Sequence, residues 1–203
     1  MKSLYPALII AALLTGCASS DSSTSSDSSW WNPFSKISWS SLSPFNWFGS
    51  SLQVSEQGVG ELNSSTAMNT GAIDKALDGK YTLRQGMRSS NGGVVSFWQA
   101  LDDGKVQLII NGKSNVSSVE VLDKSVASSD GSKIGDKFSA RYSKAFGACE
   151  NAATLDGAAV ECKAPDSQHI SYLYTGEWSG PEGLMPPDDT LKNWTLSKII
   201  WRQ

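Results

Sequence analysis

The sequence predicts an α+β fold: a single domain over residues 53–203, with a mainly antiparallel sheet, one or two short helices and one disulfide. Three observations point there. Short segments rich in Val, Ile, Tyr and Trp recur along the chain, Gly, Asn and Asp turn signals separate them, and helical periodicity appears only briefly among them.

Taken in order, residues 69–77 read as a short helix with Asn69 or Thr70 as its cap. Strands are expected at 81–87, 94–101, 105–111 and 116–122. Asp102-Asp103-Gly104 marks a hairpin turn, and Asn111-Gly112 is a second turn signal. Val106, Leu108 and Ile110 share one face of their strand, with Gln107 and Asn111 opposite. A second helix is expected over 136–146. Asp136 can cap it, Gly147 suits the left-handed terminating position, and Phe138, Tyr142, Ala145 and Phe146 fall on one face. Strands at 158–162, 169–174 and 194–201 complete the domain.

The chain ahead of this domain carries targeting signals. Lys2 precedes an apolar stretch over residues 4–14, too short for a membrane-crossing helix of about 20 residues but suited to a secretory core of about 7 to 15. It ends in Leu14-Thr15-Gly16-Cys17, which resembles the bacterial lipobox. That resemblance implies cleavage after residue 16 and a diacylglycerol on Cys17, with a further acyl chain on the new amino group; two chains already anchor stably. Ala18 and Ser19 follow where aspartate would retain a Gram-negative lipoprotein at the inner membrane. The expectation is therefore an outer-membrane anchor with the domain facing the periplasm; a Gram-positive surface lipoprotein is the alternative.

Residues 17–29 are a Ser-rich tether with a typical span of about 20 Å, too polar to order themselves. Residues 30–52 hold Trp30, Trp31, Phe34, Trp39, Phe45, Trp47 and Phe48, interrupted by Pro33 and Pro44, which disfavour a long helix. Two readings stand side by side. These rings sit at a membrane interface or on a partner, or they pack on the protein's own domain. Lys36 alone among nearby residues is basic, so anionic lipid adds little attraction.

With Lys2 lost in the leader, 16 basic and 20 acidic residues leave a charge of −4. No basic face suggests nucleic acid as a partner. Lipidation of Cys17 leaves Cys149 and Cys162, expected in an oxidising compartment to form a structural disulfide. Two cysteines without clustered histidines make a poor metal site, and a redox pair is more often two residues apart. The disulfide would staple the exit of the 136–146 helix to the 158–162 strand.

No reaction is legible. His169 is the only histidine, expected on the strand face opposite Ile170, Tyr172 and Tyr174, as an exposed surface residue. No nucleophile-elbow pattern surrounds any serine. Asp102-Asp103 and Asp188-Asp189 are adjacent acids beside turns, and adjacent positions do not converge on one bond. Gly58-Val59-Gly60 lacks the third glycine and the helix of a dinucleotide site. No catalytic residue, metal or cofactor is expected beyond the covalent lipid on Cys17. The loop 180–189 presents Leu184 and Met185 between prolines, either for recognition or to cap the sheet.

The lipobox, the Ser-rich tether with its Trp-Pro-Phe segment, Ile134-Gly135-Asp136-Lys137-Phe138, the Cys149/Cys162 pair and Glu177-Trp178-Ser179-Gly180-Pro181 together resemble a known group. It is the enterobacterial outer-membrane lipoproteins regulated by the envelope-stress sigma factor RpoE, a family of unknown function. The resemblance implies location and a stress context, and no activity or site residue. The leading expectation is a non-catalytic lipoprotein that binds an envelope protein or other envelope component. A lipid or amphiphile binder is the alternative, which a closed apolar cavity would favour over a groove. A hydrolase of envelope polymers, with His169 as base, comes third.

Overall fold

The computed structural model describes residues 52–203 apart from 91–92, 155–156 and 182. These fall in one compact unit, Pro44–Gln203. The leader, Cys17, the tether and the aromatic residues from Trp30 to Phe48 lie outside the described residues.

The order of elements is β1 (Gln53–Ser55), β2 (Gly58–Val59), α1 (Thr70–Ala76), β3 (Thr82–Ser90), β4 (Gly93–Asp102), β5 (Lys105–Gly112) and β6 (Val116–Val121). Then come β7 (Ala127–Ser128), a 3-10 turn (Phe138–Ala140), β8 (Cys149–Thr154), β9 (Gly157–Lys163), β10 (Ile170–Thr175), α2 (Asp188–Leu191) and β11 (Thr195–Arg202). Two antiparallel meanders, β3 to β6 and β8 to β11, join side by side through their last strands. The result is an eight-stranded sheet of order β3-β4-β5-β6-β11-β10-β9-β8. A small sheet, β2-β1-β7, accompanies it. The expected strands are all present with slightly shifted ends. The fold is mostly antiparallel sheet, with fewer helical residues than expected and the one disulfide in place.

Local chemistry explains the successes. Asn69 caps α1 by accepting from the Ala72 amide at 2.9 Å. Asp103 and Gly104 adopt positive φ of 46° and 74°, the conformation a tight hairpin between β4 and β5 needs. Alternation sends Leu108, Ile110, Val119, Val121, Tyr172, Ile199 and Trp201 to one face of the sheet. There they share a core with Val54, Leu62, Ile73, Val126, Phe138 and Leu191 from the covering elements. Each such aliphatic or Phe side chain contributes about 1.5–3 kcal/mol by leaving water. Phe138, Tyr142 and Tyr174 form an aromatic cluster with centroids 5.2 to 5.9 Å apart. The Tyr172 hydroxyl donates to Ser128 Oγ at 3.0 Å, tying the sheet to β7.

Four expectations are corrected. Residues 136–146 are not a helix; only Phe138–Ala140 forms a 3-10 turn. Tertiary partners take the backbone donors a helix would need. Phe138 N donates to the Trp194 carbonyl at 2.8 Å, and Ala145 N to the Asp188 carboxylate at 2.8 Å. The Asp136 side chain accepts backward from Lys133 N instead of capping forward. Phe138, Tyr142 and Ala145 are buried as expected, but Phe146 is 88% exposed. Gly147 does take a left-handed φ of 80°.

In consequence the disulfide does not staple a helix exit. Cys149 opens β8 and stands directly opposite Cys162 on β9. Asn111-Gly112 is likewise not the turn itself, since β5 runs to Gly112 and the chain reverses beyond it. A Cβ on Gly112 would lie 2.0 Å from the Asn115 carbonyl oxygen, so glycine is there for close approach. Asp188 and Asp189 start α2 rather than a turn, where acids suit the amino-terminal end of a helix.

Candidate functional site

The candidate site is the sheet face opposite the core. Arg88 on β3 and Ala152 on β8 belong to the two outermost strands, yet both line one groove of about 830 Å³. The sheet therefore curls into a trough, an open groove and not the closed apolar cavity that would on its own have favoured a lipid binder. Its apolar floor is Leu173, Ile200 and Ala152, which pack with the buried Ala159 as a second cluster supplied by β8 to β11.

Two ion pairs cross that floor. Lys198 Nζ lies 2.9 Å from Glu120 Oε2, linking β11 to β6. The Arg202 guanidinium grips Glu161 with both terminal nitrogens, Nη2 donating to Oε2 at 3.1 Å, and Nη1 also donates to Ser171 Oγ at 2.9 Å. The Ser171 hydroxyl in turn donates to Glu161. Fork-to-fork pairing of this kind fixes geometry as well as charge.

Arg88 is held differently. Its Nη2 donates to the Asn111 side-chain oxygen at 3.0 Å, and its guanidinium carbon lies 5.4 Å from the Phe97 ring centroid. Among the described residues no carboxylate pairs with it. Arg84, on the same strand face, rests on the Gln99 amide oxygen at 2.9 and 2.7 Å. Two arginines on this face are thus held by neutral acceptors.

Burial pushes the Glu161 carboxyl up, but hydrogen bonds from Arg202 and Ser171, with the Arg202 charge, outweigh it and hold the group below its ordinary 4.5. A lowered folded-state value means that the ionised form stabilises the fold above the ordinary carboxyl range. That contribution fades as pH falls through the lowered value. Glu161→Gln should therefore lower the urea midpoint at neutral pH, with the gap from the parent closing as the solution is taken below 4.5. A gap that stays constant down to strong acid would show that the pair adds nothing.

The expected site residues scatter. His169 is half-buried just ahead of β10, its Nδ1 2.8 Å from the Arg202 carbonyl oxygen and its backbone amide donating to Ser167 Oγ at 3.2 Å. Asp102 and Asp103 form the β4–β5 turn. Asp189 pairs with Lys192 at 2.8 Å. Gly58 takes a φ of 152° in a hairpin so tight that a Cβ would meet the Leu62 carbonyl. In the 180–189 loop the two readings separate: Leu184 is 59% exposed, while Met185 packs on the core. In Glu177-Trp178-Ser179-Gly180-Pro181, a Cβ on Gly180 would strike the Trp178 ring, so glycine there lets the loop fold over the indole. The Trp178 and Trp194 indole N–H groups are buried without partners.

Sequence reasoning missed Arg88, Glu120, Glu161, Lys198 and Arg202. They come from four strands and no short motif contains them. The available signal was period-two polarity on strands already expected, as in Ser118 and Glu120 or Lys198 and Arg202. Among the described residues no cluster of His, Cys, Asp and Glu could hold a metal, and no helix is long and apolar enough to cross a membrane.

A family model described as "Protein of unknown function (DUF1131)" matches residues 36–203. The chain is 51% identical over 205 residues to the "Uncharacterized protein YfeY" of Escherichia coli strain K12, covering all of both chains. It is also similar to the crystal structure of the uncharacterized protein yfeY from Escherichia coli. There the TM-score is 0.69 at 54% identity, over 74% of this chain and 99% of that one.

Proposed function

The chain belongs to the DUF1131 family of proteins of unknown function, and from that premise we propose that it is a non-catalytic, lipid-anchored envelope protein that binds a partner component through the trough of its sheet. In this reading Cys17 carries the lipid, the anchor sits in the outer membrane, and the domain faces the periplasm and serves during envelope stress. Leu14-Thr15-Gly16-Cys17 and the Ala18-Ser19 pair support the anchor and its address.

The observation that carries the binding role is the groove itself. An apolar floor between fixed charges is what a recognition surface requires, and its volume lies within the ~300–1,000 Å³ range of small-molecule clefts. Glu161 is committed to Arg202 and Ser171, which makes it a fixed partner in the groove and a poor general acid.

A photo-crosslinking side chain placed at Glu177, on the groove rim, should give a discrete adduct in living cells, identified by mass spectrometry. The same group at Asp103, in the β4–β5 turn, should not. Equal labelling from both positions, or none from Glu177, would remove the groove as the binding face.

A further inference from the structure

We infer that the groove takes an anionic amphiphile with one acyl chain, its headgroup at Arg88 and its chain over Leu173, Ile200 and Ala152; this rests on the trough being the binding face. Charge complementarity selects the headgroup. Of the cations lining the groove, Lys198 and Arg202 are neutralised by Glu120 and Glu161. Arg88 is exposed and held in place by an amide oxygen and an aromatic face, so its orientation is fixed while its charge has no carboxylate partner among the described residues. A guanidinium so placed suits an oxyanion, carboxylate or phosphate alike, which it can meet through two N–H groups.

Register sets the direction in which such a ligand lies. Asn111, Arg88's acceptor, is on the rung that runs through Ser118 to Arg202. That rung lies on one side of the Glu120–Ile200 rung, whereas Leu173, Thr175 and the following Glu177 lie on the other. The chain would thus run from the Arg88 end across Ile200 and Leu173. Glu177, exposed at the far end, disfavours a second anion there. One negative end and one apolar tail match this polarity; a dianionic ligand does not.

The test uses the mature chain, residues 17–203 with Cys17→Ser, so that neither its acyl groups nor the apolar leader competes. It is titrated calorimetrically with dodecanoate and with dodecyl phosphate below their micelle concentrations, beside acetate and uncharged dodecyl maltoside. Saturable binding of either long-chain anion is expected, with acetate and the maltoside far weaker. Preference for one anion identifies its source as fatty acid or phosphate lipid. Arg88→Gln should weaken binding by about tenfold or more, Arg88→Lys by less, and Arg84→Gln, outside the groove lining, hardly at all. Thermal unfolding of each variant separates a lost contact from a lost fold. Failure of both anions to bind, affinity unchanged by Arg88→Gln in a folded protein, or equal affinity for the maltoside would overturn the inference. If the Glu177 adduct persists in cells while both anions fail, the amphiphile is excluded and the binding face stands.

Discussion

Replacing Cys149 and Cys162 together by alanine lowers the stability of the domain by about 3 kcal/mol, read as a fall in the urea midpoint. The two positions are 13 apart in sequence and face each other across β8 and β9. In the unfolded chain the bond removes the freedom of a loop of that size, and this is the larger part of its effect in the chain-entropy account. Its position adds a local consequence. β8 is an edge strand whose one neighbour in the sheet is β9, and it supplies Ala152 to the groove wall. Loss of the disulfide should therefore raise amide exchange first along β8, and only later in β6 and β11 at the centre of the sheet. Cys162 is fully buried, so alanine is the better replacement than serine, whose hydroxyl would need a partner. An unchanged midpoint in the double variant would mean that the strand pairing alone holds this edge.

Cys17→Ser, expressed behind a cleavable secretory leader in place of residues 1–16, has an all-or-none effect in the proposed account: the protein leaves the membrane fraction and no longer incorporates labelled palmitate. Acyl chains contribute about 0.8 kcal/mol per buried methylene, so two or three chains dominate any other surface contact the protein makes. The net charge of −4 left once Lys2 goes with the leader offers no electrostatic substitute at an anionic surface. Fractionation of cells expressing each form, with palmitate labelling, reads the result. Membrane retention of the serine variant without label would transfer the anchoring role to the Trp30–Phe48 aromatics.

The sheet was largely legible because alternating Val, Ile, Leu and Tyr must face one side, and turn residues at 102–104 left few choices for the hairpin. Three features escaped. Cys149–Thr154 reads Cys-Glu-Asn-Ala-Ala-Thr, with little β propensity, and becomes a strand because β9 offers it a ladder and Cys162 a bond. The periodicity at 138–146 was a true burial signal for Phe138, Tyr142 and Ala145, but not for helix, because Trp194 and Asp188 compete for the backbone donors. The trough was invisible for a different reason. Its groups become neighbours only when β6, β9, β10 and β11 lie side by side, and that order puts the last strand of the chain at the centre of the sheet. The disulfide pairing was legible once Cys17 was set aside, though not the element it joins.

The central claim is that the trough is the face through which this protein binds, and filling it tests that most directly. Thr175 is half-buried on the groove wall at the end of β10, and Thr175→Trp would occupy the space above Leu173 without touching the core. In cells, the adduct formed from the photo-crosslinker at Glu177 should disappear in the Thr175→Trp background while thermal stability stays near that of the parent. An undiminished adduct from a folded Thr175→Trp protein would contradict the account, because binding would then proceed with the trough filled.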